Sequence, residues 1–194
     1  MTGKDVNRPG VVGCRPRGSN IVETGARAGP AVRVVEMDEA ALMAERRRVE
    51  SSLRRAVKAG KLSDIESEGA LDRVEFSSDL ESLADSDLVV EVVLESEPEK
   101  LEIFAALDRV VTSAHAVLAS NTSSIPIMKL AMATARPSQV VGIHFFNTNP
   151  SRLFKSRLPS SPALPGSGCL QHHRTAATVR RGGSLTRPRI HGAA

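Results

Sequence analysis

The sequence predicts an α/β fold, a doubly wound parallel sheet followed by a disordered C-terminal tail. Three observations carry this. Short apolar segments alternate with helix-patterned segments from residue 9 to residue 150. The strongest of the apolar segments, Asp87-Leu88-Val89-Val90-Glu91-Val92-Val93, is nearly continuous rather than alternating, as expected of a strand covered on both faces. Both patterns stop at Pro150.

Residues 1–8 are polar and are expected to be flexible. Pro9-Gly10-Val11-Val12-Gly13 reads as a short buried strand entering a turn, and a helix is expected from Ser19 to Ala28, stopped by Gly29-Pro30. Ala31–Glu36 reads as a second strand. Asp38 is placed to cap a helix whose apolar stripe runs through Leu42, Val49, Leu53 and Val57, with Arg46, Arg47, Arg48, Arg54 and Arg55 on a solvated face. Val74–Phe76 is a short strand, Asp87–Val93 the central one, and Glu99–Val111 a helix with Leu101, Phe104, Leu107 and Val111 on one side. Ala116–Ser120 is a strand, Pro126–Ala135 a helix, and Val140–Phe146 a final strand.

Composition narrows the classes. The 194 residues suffice for one domain with its own core, and aromatics are only 3%, with no Trp or Tyr, so that core is aliphatic. No apolar run approaches the roughly 18 residues of a membrane helix, and MTGKDVNRPG carries no signal segment. Two cysteines, Cys14 and Cys169, make no disulfide framework. The chain is expected to be cytoplasmic, with no membrane partner. The net charge of +4 is local: eight of the 26 basic residues and none of the 22 acidic ones fall in 151–194, so the body is mildly acidic. The basic balance therefore implies no specific nucleic-acid partner for the folded part. Domain bounds follow: 1–8 flexible, 9–150 the sheet domain, 151–194 a basic tail rich in Pro, Gly and Arg, with no sustained period, expected to be disordered. Dominated by Arg, Pro, Gly, Ala and Ser, the tail is expected to be an out-of-frame product, as a shifted reading of a GC-rich gene would be.

The turn after the first strand is Gly13-Cys14-Arg15-Pro16-Arg17-Gly18. A strand, a glycine-rich turn and a helix N-terminus offer free N–H groups and a positive dipole end to a pyrophosphate. Gly13 and Gly18 stand at the first and third small positions of a Rossmann-like dinucleotide turn, and Arg15 stands at the second. Glu36, at the end of the second strand, is placed to accept from the adenosine ribose hydroxyls, which favours NAD over NADP. Taken alone, this interrupted motif better describes an ordinary strand–turn–helix.

The second half of the body is more specific. Val89–Lys100 (VVEVVLESEPEK), Leu118–Ile125 (LASNTSSI) and Gly142–Asn147 (GIHFFN) resemble the 3-hydroxyacyl-CoA dehydrogenase family, with most similarity to bacterial 3-hydroxybutyryl-CoA dehydrogenases, over residues 10–147. The resemblance implies an NAD-dependent oxidoreductase moving hydride between the C3 hydroxyl of a (3S)-3-hydroxyacyl-CoA and NAD, in fatty acid metabolism. It implies that His144 is the catalytic base and Ser123 a serine contacting substrate and cofactor near the reacting carbon. Glu95, Lys100 and Asn147 match cofactor-contacting positions, and Glu36 the ribose carboxylate. No metal is implied. The family dimerises through a helical C-terminal domain that closes over the acyl-CoA and that residues 151–194 do not supply. The family also places a glutamate after the histidine, whereas the last acidic residue here is Asp108.

Each residue has a plainer reading. The Ser and Asn of SNTSS would serve as caps for the helix from Pro126, Lys100 as a helix-surface lysine, and His144 as a structural histidine. The alternative function is a nucleotide-binding remnant without turnover, or a product that does neither and adheres to acidic surfaces through its tail.

Overall fold

A computed structural model describes residues 6–13 and 16–143. Their elements are β1 (Pro9–Val12), α1 (Pro16–Ala28), β2 (Val32–Val35), α2 (Glu39–Lys58), α3 (Asp64–Leu71), β3 (Val74–Ser77), β4 (Leu88–Glu91), α4 (Glu97–Val110), β5 (Val117–Ser120), α5 (Ile127–Met132) and β6 (Val140–Gly142). Short 3-10 turns at Leu80–Leu83 and Pro137–Gln139 precede β4 and β6. The six strands are all parallel, in the order β3-β2-β1-β4-β5-β6. The doubly wound parallel sheet expected from the sequence is what forms.

Alternation along each strand feeds two cores. On one face Val11, Val34, Val90 and Ala119 pack with Ile21, Val22 and Ala26 of α1 and Val49 and Leu53 of α2. On the other, Val12, Val35, Val89 and Leu118 pack with Phe104 and Leu107 of α4 and Leu130 of α5. Side chains pointing to opposite faces at successive positions explain why the central strand reads as a continuous apolar run.

Several boundaries differ from the sequence expectation, for identifiable reasons. Helix α1 begins at Pro16 rather than Ser19; proline is well suited to a first helical position, where its missing N–H costs nothing. Helix α3 lies where the sequence reading places no element. Its start is fixed by a capping box in which Ser63 Oγ accepts from the Glu66 N–H (3.2 Å) and the Glu66 carboxylate accepts from the Ser63 N–H (2.8 Å). Strand β4 ends at Glu91 rather than Val93, because the Val93 N–H donates to the Glu91 carboxylate (2.7 Å). Helix α4 starts at Glu97, with Pro98 in its first turn, two residues earlier than expected. Helix α5 stops at Met132, three residues short of Ala135, whose N–H donates to Asp108 (2.7 Å). Asp38 does cap α2, accepting from the Ala41 N–H at 2.7 Å.

Among the described residues, no helix is long and apolar enough to cross a membrane. Of residues 1–8, expected to be flexible, 1–5 lie outside the described residues, but Val6 packs against the core and the Asn7 and Arg8 N–H groups donate to the Asp87 carboxylate (2.8 and 3.1 Å). The tail 151–194 and the end of the expected strand from His144 to Phe146 also lie outside the described residues.

Candidate active site at the carboxyl rim of the sheet

In an open parallel sheet the strand order reverses at one place, and loops diverging there leave a crevice at the carboxyl ends of the strands. Here that place lies between β1 and β4, which pair directly from Pro9↔Leu88 to Val12↔Glu91. The segments leaving β1, β2, β4 and β5 carry Gly13, Glu36, Glu95 and Ser123. The topology therefore brings to one rim residues that the sequence spreads over more than a hundred positions.

Gly13 closes β1 by donating to the Val35 carbonyl (2.9 Å), then turns with φ +78°. A Cβ there would stand 2.5 Å from Val93 Cγ1 and 2.9 Å from the Val93 nitrogen. The chain after β1 thus passes against the chain after β4 so closely that only glycine fits. A glycine pressed this closely against the neighbouring loop, just ahead of a helix, is what close approach of a pyrophosphate to the backbone requires. Gly18 is buried in the first turn of α1, and Glu36 is half-buried just past β2, its N–H donating to the Ser77 carbonyl (3.2 Å). A glycine at the turn and a carboxylate just past the second strand are of the kinds a dinucleotide would need. Cys14, Arg15, His144 and Asn147 lie outside the described residues.

The loops after β4 and β5 are tied by a polar network. Glu95 Oε1 accepts from the Thr122 hydroxyl, from Ser124 Oγ (2.7 Å), and from the N–H groups of Ser123 (3.3 Å) and Ser124 (3.2 Å). Thr122 Oγ1 in turn accepts from the Ile125 N–H (3.0 Å). Partial burial works to raise the Glu95 carboxyl, but hydrogen bonds from Thr122 and Ser124 and the nearby Lys100 charge outweigh it and hold it at about 2. Glu95 is therefore a carboxylate throughout the physiological range. Ser123 is exposed at the tip of this turn. The plainer reading of SNTSS as a helix cap does not describe it, since α5 has no side-chain cap and the turn organises itself around Glu95.

Lys100 is not a surface lysine. Its side chain is 1% exposed, and its ammonium donates to Glu91 (2.5 Å) and lies 3.7 Å from Glu95. Glu91, wholly buried, also accepts from Ser120 Oγ (2.6 Å). Sequence reasoning treated Glu91 and Ser120 only as strand residues. A carboxylate inside an otherwise apolar central strand was the available signal, since a charge buried there requires a partner.

A second feature lies along α1 and α2. Ser19, Asn20, Arg47, Arg48, Ser51, Ser52 and Arg55 line an open cleft of 370 Å³. The arginine face of α2 is partly neutralised: Arg46 and Arg54 pair with Glu50, and Arg48 with Glu45. Ser52 donates to Glu23 (2.5 Å) across the helix seam. No group of three or more His, Cys, Asp or Glu suited to a metal occurs among the described residues.

The comparisons with known proteins agree with this geometry. Residues 9–155 match the family described as 3-hydroxyacyl-CoA dehydrogenase, NAD binding domain. A 3-hydroxybutyryl-CoA dehydrogenase of Mycobacterium tuberculosis is 54% identical over 145 residues, covering 75% of this chain and 51% of the relative. A probable 3-hydroxybutyryl-CoA dehydrogenase of Bacillus subtilis is 38% identical over 140 residues, covering 72% and 48%. The crystal structure of M. tuberculosis FadB2 superposes with a TM-score of 0.74 at 53% identity, over 77% of this chain and 52% of that one. That of (S)-3-hydroxybutyryl-CoA dehydrogenase from Ralstonia eutropha gives 0.70 at 34% identity, over 76% and 51%. The chain thus spans about half the length of the relatives it matches. By the family match, the shared sheet and the rim that its loops build, the chain belongs to the 3-hydroxyacyl-CoA dehydrogenase family, within that family's NAD-binding domain.

Proposed function

We propose that the chain is the cofactor-binding part of an NAD-dependent 3-hydroxyacyl-CoA oxidoreductase acting on a 3-hydroxybutyryl-CoA-like substrate. The observation that carries this reading is the rim at which Gly13, Glu36 and the Glu95–Ser124 turn converge on the reversal point of the sheet. When bound, NAD supplies the hydride acceptor. The protein's residues do the rest. Gly13 and the start of α1 hold the pyrophosphate, and Glu36 accepts from the ribose hydroxyls and disfavours a 2′-phosphate. Glu95 and Lys100 fix the floor beneath the nicotinamide end, with Asn147 beside it. Ser123, exposed at the tip of its turn, orients the substrate oxygen. His144 takes the proton of the 3-hydroxyl.

The test is loss of NADH absorbance on adding acetoacetyl-CoA to the full chain. Turnover abolished by His144→Gln supports the reading. NADH binding without turnover favours the second reading, a nucleotide-binding module.

A further inference from the structure

Lys100 stands between two carboxylates but divides itself unequally. Its ammonium is 2.5 Å from Glu91 Oε1, 3.4 Å from the Val93 carbonyl and 3.7 Å from Glu95 Oε2. Glu91 is held in place by two further donors, the Val93 N–H at 2.7 Å and Ser120 Oγ at 2.6 Å, and it is wholly buried. Glu95 is left to accept from the turn, taking the Thr122 hydroxyl, Ser124 Oγ and two backbone N–H groups. A buried ammonium requires a carboxylate partner. If Glu91 did not satisfy it, the nearest other carboxylate is Glu95, whose Oε2 lies 3.7 Å from the ammonium while the turn's donors use Oε1; a full positive charge drawn onto Oε2 would pull the carboxylate away from the turn.

We propose that Glu91 is a positioning residue: by holding Lys100 against the sheet, it leaves Glu95 free to shape the Thr122–Ser124 turn on which the cofactor and substrate side of the rim is built. Glu91 touches neither ligand and acts through Lys100 and Glu95. The statement about the turn stands on the hydrogen bonds alone. Its consequence for NAD rests on the function proposed above.

The mechanism predicts an unusual pattern of rescue. In Glu91→Gln, Lys100 moves toward Glu95 and the turn loses acceptor strength. In Glu91→Gln/Lys100→Met, the competing charge is gone and Glu95 returns to the turn. A Glu91 that only pairs Lys100 would also show recovery of overall stability in the double variant, so the discriminating readout is the amides of the turn, which a merely structural pair leaves unmoved in the single variant. The experiment is amide hydrogen exchange and 15N–1H spectroscopy of the full chain, reading the Ser123 and Ser124 amides. Glu91→Gln is expected to shift both amides and speed their exchange about tenfold, the factor for losing one net hydrogen bond. The double variant is expected to return both toward native values. Should Glu91→Gln fail to fold, Glu91→Asp keeps the charge while shortening its reach, and is expected to move the same two amides in the same direction. Native-like amides in the single variant, or a double variant more disturbed than the single, overturn the proposal. An NADH titration of the single variant reads the consequence separately. If the native chain binds no NADH, the functional reading fails while the amides still decide the role of Glu91.

Discussion

Replacing Gly13 with alanine tests how tightly the rim is built. Two costs combine. The first is backbone: φ is +78°, a left-handed conformation that costs an L-residue about 1–2 kcal/mol. The second is space. The new methyl would stand 2.5 Å from Val93 Cγ1, 2.9 Å from its nitrogen and 3.0 Å from its Cα. The side-chain contact can relax by a rotamer change, but the backbone contacts cannot relax so easily. The Val92 N–H donates to the Val12 carbonyl at 2.8 Å, and the Val93 N–H to Glu91 at 2.7 Å, so the segment is anchored on both sides. Overpacking of this kind adds about 1–3 kcal/mol, for a total loss of about 2–5 kcal/mol. Gly60 supplies the control, with φ +66° and nothing within 4 Å of its Cβ position. Gly60→Ala carries the backbone cost alone, about 1–2 kcal/mol. Urea unfolding followed by circular dichroism measures both. A Gly13→Ala variant no less stable than Gly60→Ala would refute the claim that the two loops press together there.

Further predictions follow from other contacts. Glu95, held at about 2 against an ordinary 4.5, contributes stability that is present above pH 4.5 and lost as the pH falls through about 2. The urea midpoint should decline across that window in the native chain and less steeply in Glu95→Gln; parallel profiles would contradict the turn's dependence on that carboxylate. Arg136 pairs with Asp108 (2.7 Å) and donates to the carbonyls of Asp108 (3.0 Å), Val111 (2.9 Å) and Ser113 (2.8 Å), closing the end of α4. Arg136→Ala should cost about 2–4 kcal/mol in urea unfolding, and Arg136→Lys should not restore it, since lysine lacks the planar fork. Ser63→Ala should cost about 0.5–2 kcal/mol by removing the capping box of α3, and a neutral effect would mean the helix is held by packing alone.

Much of the architecture was legible because burial on both faces writes itself into a parallel strand, and because Asp38 announces α2. Helix α3 was missed although Ser63 and Glu66 spell a capping box, because Ala70 is its one buried residue and no apolar stripe marks it. The end of β4 was misread because the bond that stops it comes from a side chain, Glu91, that the apolar run conceals. The site divides in the same way. Gly13 and Glu36 were readable from local strand–turn–helix logic. Glu95, Lys100 and Ser123 came only through resemblance, since their partners lie 28 residues away on another strand or nine residues away around a loop. Glu91 and Ser120, 29 residues apart, became visible as a pair only once β4 and β5 were adjacent.

The central claim is that this rim holds NAD. The most direct test is an NADH fluorescence titration of the full chain beside Arg15→Gly, with NADPH as competitor; the absence of Trp keeps the protein background low. Saturable NADH binding, equal or tighter in Arg15→Gly, is expected, with weaker binding of NADPH because Glu36 opposes a 2′-phosphate. No saturable binding in either chain, or a preference for NADPH, would contradict the claim.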